Sequence, residues 1–222
     1  PVDKNSVAQP GSWKYRDISG PNGQPDGIID SNDMSIIGDA NPTLFGGINN
    51  QFNYKGFDLN VFLNFSLGAD VYNANNMYYS KMSNRYKNVI GGAANRFTYI
   101  DESGVNIKND PAALTALNQG KDFASVSGSS SLIFSSRYVE DGSFLRLNNI
   151  SLGYTLPKSL VEKVKIGNLR VYATVYNLKT WTNYSGFDPE VNTKPNGNLT
   201  PGIDWGAYPR NMSFVFGLNL SL

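Results

Sequence analysis

From Met212 onward the even positions are Met212, Phe214, Phe216, Leu218, Leu220 and Leu222, and the odd positions are Ser213, Val215, Gly217, Asn219 and Ser221. One side is large and apolar, the other mostly small or polar. A period of two sustained over about 11 residues predicts a β-strand. At ~3.3 Å per residue and a tilt near 45°, such a strand spans roughly 25 Å, the height of an outer-membrane apolar band.

The same pattern recurs upstream. Phe57–Leu67 places Phe57, Leu59, Val61, Leu63, Phe65 and Leu67 on one face and Asp58, Asn60, Asn64 and Ser66 on the other, with Phe62 the exception. In the preceding segment Leu44, Ile48, Phe52 and Tyr54 share a face opposite Asn49, Gln51 and Asn53. Tyr54-Lys55-Gly56 reads as the tight turn that joins these two strands. In Leu169–Leu178, Leu169, Val171, Ala173 and Val175 oppose Arg170, Tyr172, Thr174 and Tyr176. An arginine and two tyrosines on the inner face suit a wet lumen better than a packed core. Phe144–Leu156 breaks phase, with Leu145 and Leu147 on one parity and Ile150, Leu152 and Tyr154 on the other. A switch at Asn148-Asn149 predicts a β-bulge, the alternative being two short strands joined by a kink.

Connections between these strands alternate in length. Residues 55–56 and Pro157–Gly167 are short; residues 68–142 and 179–210 are long and rich in Gly, Ser, Asn and Tyr. Outer-membrane barrels are built this way, with short periplasmic turns and long extracellular loops. Counting back from a periplasmic C-terminus gives all five strands a consistent direction. The expected class is therefore all-β: about five strands of a large transmembrane antiparallel β-barrel. Residues 1–42 form an extracellular loop with an acidic turn, and 43–222 form barrel wall and loops. Within the first long loop, Asp110 followed by Pro111-Ala112-Ala113-Leu114-Thr115-Ala116-Leu117 predicts a short helix, with Asp110 as N-cap.

Composition narrows the chemistry. The 222 residues carry a formal net charge of +1, and no basic run interleaves with aromatics as a nucleic-acid groove requires. Neither Cys nor His is present, which removes disulfides, thiolate and imidazole metal ligands, and Ser-His-Asp or Cys-His catalysis. The mean hydropathy is -0.34, and no apolar run is long enough for a membrane helix. A barrel hides its hydrophobicity from such averages by alternation. The chain opens on Pro1-Val2-Asp3 rather than Met, which leads us to expect sequence upstream of it.

Two groups of residues are candidates for binding. Asp26-Gly27-Ile28-Ile29-Asp30-Ser31-Asn32-Asp33 has the spacing of the second half of a calcium loop: a carboxylate, a glycine for the sharp turn, then two spaced carboxylates. Its first acid would be Asp17, which lies farther upstream than an EF-hand-like loop places it. The candidate calcium ligands are thus Asp17, Asp26, Asp30 and Asp33; the alternative is a polar turn capping a strand. No other cofactor is expected. The second group is aromatic: Tyr72, Tyr78, Tyr79 and Tyr86 in the first long loop, and Trp181, Tyr184, Phe187, Trp205 and Tyr208 in the second. Flat rings with polar edges stack on sugars or peptides. Of these, Tyr72, Tyr78, Tyr79, Trp181, Tyr184 and Trp205 are the candidate substrate-binding residues. The competing role for Trp181, Tyr184 and Trp205, near strand ends, is an interfacial girdle or loop packing. Asp101-Glu102 and Glu140-Asp141 are adjacent acids that need not converge on one bond, and no catalytic residue is expected.

Several stretches resemble the C-terminal part of the SusC/RagA family of TonB-linked outer-membrane proteins. They are Ser136-Arg137-Tyr138-Val139-Glu140-Asp141-Gly142-Ser143-Phe144-Leu145-Arg146-Leu147-Asn148-Asn149-Ile150, continuing to Gly153-Tyr154-Thr155-Leu156-Pro157; Trp181 through Glu190; Gly202-Ile203-Asp204-Trp205-Gly206-Ala207-Tyr208-Pro209; and Pro10-Gly11-Ser12-Trp13-Lys14-Tyr15 through Asp26-Gly27 to Asp33. The resemblance implies a roughly 22-stranded barrel closed by an N-terminal plug. It also implies partners: the remaining barrel and plug, a SusD-like surface lipoprotein, the TonB complex reached through an N-terminal region, and outer-membrane lipid or lipopolysaccharide. The implied function is nutrient uptake of glycan or peptide fragments by a Bacteroidetes-type bacterium. Two departures stand out. Residues 18–25 read as an insertion into the acidic loop, and the chain ends on Leu222 where family members often end on an aromatic residue.

Alternating strands alone also allow a second class, a soluble or surface-attached, calcium-stabilised β-rich module that binds glycans. Strand length and the bulky, uniformly apolar outer face favour the importer.

Overall fold

The computed structural model describes residues 2–3, 9–20, 22–128, 133–193 and 201–221. Pro21 of the acidic segment, parts of both long loops (129–132 and 194–200) and the terminal Leu222 lie outside the described residues. The chain divides into two units, one made of residues 1–37 and 74–138, the other of 38–73 and 139–222.

In the first unit Val2–Asp3 (β1) pairs in parallel with Ile28–Ile29 (β2). In the second, Leu44–Tyr54 (β3) and Phe57–Leu67 (β4) form a hairpin in register from Leu44↔Leu67 to Tyr54↔Phe57. Its turn is Lys55-Gly56, with φ +47° and +86°. Positive φ at both turn residues matches the right-handed twist of the strands, and glycine takes it without steric cost.

Asp70–Asn73 (β5) follows, and then Ala74–Ser80 (α1), the latter in the first unit. Ala74, Met77 and Ser80 are buried at helical spacing, so Tyr78 and Tyr79 are turned outward. The helix expected after Asp110 is present as Pro111–Leu117 (α2), and the Asp110 carboxylate accepts from the Ala112 and Ala113 amides. Val139–Asp141 (β6) is followed by Phe144–Thr155 (β7), a short helix Lys158–Val161 (α3), Asn168–Thr182 (β8), Ile203–Asp204 (β9) and Ser213–Ser221 (β10).

Two sheets organise the second unit. The larger is antiparallel throughout, in the order β10-β8-β7-β4-β3, and open among the described residues. The smaller has the order β6-β5-β9. The expected bulge is there: register shifts between Phe62 and Leu63 on β4 and between Leu147 and Asn149 on β7, leaving Asn148 without a partner position. One expectation is corrected. The strand read as Leu169–Leu178 runs on to Thr182, so the loop starts at Asn183 rather than Lys179 and Trp181 is a strand residue opposite Leu145. Asn177, with φ +52°, absorbs the irregularity on β8 and lets the strand resume beyond it.

Pairing sorts the large sheet into two faces. Partners in register share a face, which puts Phe52, Leu59, Leu152, Ala173 and Phe216 on one side. That side is apolar and open, with Phe216 79% and Leu218 71% exposed. The other side carries Gln51, Asn60, Ser151 and Thr174, with Asp58 and Arg170 nearer the turns. A sheet with water-loving residues inside and a bulky apolar outside is the inverse of a soluble sandwich.

Candidate functional site

The polar face is built for charge. Arg170 on β8 forms a two-pronged bond with Asp58 on β4, Nε to Oδ1 at 2.8 Å and Nη2 to Oδ2 at 2.5 Å. The pair reaches across β7 over Gly153, where a Cβ would lie 2.4 Å from both Arg170 Nη2 and Asp58 Oδ1. Only glycine leaves room for that bridge. Thr174 donates to Ser151 at 2.8 Å on the same face.

Toward the other end of β7, this face carries a buried network. Arg146 is 1% exposed, yet every side-chain nitrogen is used. Nε donates to Thr180 Oγ1 at 3.0 Å, Nη1 to Glu190 Oε2 at 2.9 Å and Nη2 to Asp188 Oδ1 at 2.6 Å. Arg210 completes the group, Nε to Asp188 Oδ2 at 3.2 Å and Nη2 to Glu190 Oε2 at 2.8 Å. The two desolvated charges, Arg146 and Asp188, cancel each other, while Glu190 and Arg210, 45% and 44% exposed, flank them from the rim. Beside it, Tyr184 donates to the buried Asp204 at 2.7 Å. Burial pushes the Tyr184 phenol well above its ordinary range, and the Asp204 charge adds to the effect. Glu140 on β6 accepts from Asn73 Nδ2, Ser185 N and Ser185 Oγ at 2.8–2.9 Å.

These bonds fasten the loop after β8 onto the strand ends. Three of the stretches singled out in the sequence meet here: Arg146 and Glu140 from the first, Tyr184, Ser185, Asp188 and Glu190 from the second, Asp204 from the third. Nothing in the local sequence marks these residues as one network; the signal it carries is Arg146 on the polar parity of its strand, a cation that needs anions from elsewhere in the chain once the fold buries it.

The candidate aromatics divide. Tyr72 and Tyr184 are buried, 8% and 5% exposed, and Val71 and Tyr184 form a small core with Val191. Trp181, 48% exposed, stands at the end of β8 beside Leu145, and Trp205 is 54% exposed just after β9. Tyr78 and Tyr79, in the first unit, lie edge to face with centroids 5.5 Å apart. Four of the six thus offer ring surface.

The acidic candidates, also in the first unit, turn toward backbone amides. Asp33 accepts from Ile18 and Ser19 at 2.8 and 3.1 Å through Oδ1 and from Asp30 at 2.8 Å through Oδ2. Asp30 accepts from Asn32, making a reciprocal cap on the 3₁₀ turn Ser31–Asp33. Asp17 Oδ2 accepts from Gly27, and Asp26 from Ile28. Asp17 Oδ1 is buried without a hydrogen bond. Among the described residues no three acidic side chains are gathered closely enough to hold a metal ion. The same unit has a cleft of about 620 Å³ lined by Trp13, Arg16, Asp30, Asp33, Phe134 and Arg137 among others, with the Arg137 guanidinium 4.0 Å from the Trp13 ring.

No family model matches the chain. Individual relatives do. The chain is 34% identical to TonB-dependent receptor P3 of Formosa agariphila over 217 residues, covering 96% of this chain and 19% of that receptor. It is 30% identical to TonB-dependent receptor SusC of Bacteroides thetaiotaomicron, covering 94% of this chain and 19% of SusC. Among solved structures, the RagAB peptide importer in its closed-closed state superposes with a TM-score of 0.67 at 24% identity, over 96% of this chain and 20% of the other. A second structure, of the RagAB peptide transporter, gives 0.63 at 26% identity over 82% and 17%. Sequence likeness over nearly the whole chain and a matching antiparallel sheet agree: the chain belongs to the SusC/RagA type of TonB-dependent receptor and spans about a fifth of the length of the relatives it matches.

Proposed function

We propose that the chain forms barrel wall and extracellular vestibule of an energised outer-membrane importer that takes up glycan or peptide fragments. The observation that carries this reading is the two-sided sheet: an open apolar face around Phe216 and Leu218, backed by a polar face holding the Arg170–Asp58 pair. In this account Phe216 and its neighbours meet lipid and Arg170 meets the aqueous lumen. Residues 1–42, Leu67–Ser143 and the loop from Asn183 to Arg210 face outward, while Lys55-Gly56 and Pro157–Gly167 face the periplasm. Exposed rings of Tyr78, Tyr79, Trp181 and Trp205 offer stacking surface for cargo, and the loops meet a SusD-like lipoprotein that acts as a lid. The TonB complex acts through the N-terminal part of the whole receptor. No residue of the chain is assigned a catalytic role.

Orientation is tested with cysteines placed at Ser127 and Lys163 in the whole receptor, labelled on intact cells with an impermeant thiol reagent. The account predicts labelling at 127 and none at 163 until the outer membrane is opened. Labelling at 163 alone contradicts it.

A further inference from the structure

The first long loop has a charge pattern that neither the barrel architecture nor the buried network uses. From Ala74 to Ile100 the chain contains Lys81, Arg85, Lys87 and Arg96 and no acidic residue, in a protein whose net charge is only +1. The ion pairs of the described residues involve other arginines, and none reaches Lys81, Arg85 or Lys87. Three of the four cations fall within Lys81–Lys87, directly after the helix that turns Tyr78 and Tyr79 outward.

Here cations and rings are interleaved in space. Lys87 Nζ lies 3.7 Å from the centroid of the Tyr78 ring and bonds the Tyr78 carbonyl. The Tyr79 ring meets that of Tyr78 edge to face, and Tyr86 is 92% exposed. Lys87 is pushed below its ordinary range, chiefly by desolvation and further by the Lys81 charge, and no ion pair among the described residues offsets either ammonium group. A surface like this lowers its own energy when an anion binds.

We propose that Lys81, Arg85 and Lys87, with Tyr78, Tyr79 and Tyr86, form a binding surface for an acidic oligosaccharide, one bearing carboxylates on its sugar rings. The proposal rests on the importer reading and on the outward placement of this loop. Saccharide is favoured over acidic peptide by shape. A peptide is held by a strand edge it can extend or by pockets for its side chains. Residues 81–90 are turn and coil with no strand; Tyr86 is 92% exposed, and Tyr78 and Tyr79 keep 44% and 45% of their surface open beside Lys87. Flat faces with hydroxyl edges fit the C–H face and hydroxyls of a pyranose, while the cations take its carboxylates.

The test uses the whole receptor in detergent with three probes of matched length: an oligogalacturonate, its methyl ester and oligoglutamate. Lys81→Gln with Arg85→Gln should weaken oligogalacturonate binding about tenfold at low salt and flatten its salt dependence. Lys81→Arg with Arg85→Lys should bind as the parent does, which separates charge from folding. Binding of the methyl ester should be weak and the same in all three proteins. Equal affinity of parent and neutralised variant for oligogalacturonate overturns the proposal, as does tighter charge-dependent binding of oligoglutamate. Failure of the importer reading shows separately, as absence of the protein from the outer membrane.

Discussion

Arg146 Nη2 donates to Asp188 Oδ1 at 2.6 Å, with the two side chains only 2% and 7% exposed. Removing one partner of a buried pair leaves the other charge desolvated, at a cost of about 3–5 kcal/mol. Arg146→Met in the whole receptor should therefore lower barrel stability strongly, toward the low end of that range because Arg210 still faces Asp188. Arg210 is 44% exposed, and Arg210→Met should cost less than about 1 kcal/mol. Thermal unfolding followed by heat-modifiable electrophoretic mobility gives both values. Equal effects of the two substitutions contradict the network as described.

The apolar face makes a separate demand. If Phe216 meets hydrocarbon, Phe216→Arg should cost roughly 2–4 kcal/mol of barrel stability, the cost of a cation near the bilayer midplane. Asn219, opposite Arg170 on the polar face, should accept arginine at much smaller cost. Equal tolerance of both favours the soluble module.

How far the fold was legible depended on whether local pattern or distant contact decided each element. β3, β4 and β10 were readable because each keeps one apolar parity over most of its length despite single exceptions such as Phe62, and Lys55-Gly56 because a two-residue turn needs positive φ. The bulge at Asn148 was readable as a change of parity. The end of β8, from Lys179 to Thr182, was not, because Asn177 interrupts the pattern and the pairing of Lys179 with Leu147 is set by the neighbouring strand. β5, β6 and β9 have two to four residues each, too few for a period to show. The buried network was hidden for a related reason: Arg146, Asp188 and Arg210 are far apart in sequence and are joined only by the fold.

The acidic turn should depend on pH. Backbone hydrogen bonds, first from Asp30 and then from Ile18 and Ser19, hold the Asp33 carboxyl below its ordinary value. A depressed carboxylate stabilises the fold above its unfolded pKa of about 3.9, and that contribution disappears as pH falls through the lower folded value. Protection of the Ile18, Ser19 and Asp30 amides from hydrogen exchange should thus persist at pH 5 and fade only below about pH 4. Asp33→Ala should remove it at every pH. Protection lost on adding a chelator at neutral pH would instead show a turn held by calcium.

The central claim is that one face of the large sheet meets lipid and the other meets water. Single cysteines at Phe214, Val215, Phe216, Gly217, Leu218 and Asn219 of the membrane-embedded receptor, each carrying an environment-sensitive fluorophore, test it most directly. Quenching by a lipid-borne quencher should be strong at 214, 216 and 218 and weak at 215, 217 and 219, with an aqueous quencher giving the opposite order. Uniform quenching along the strand, or alternation in the reverse sense, would contradict the account.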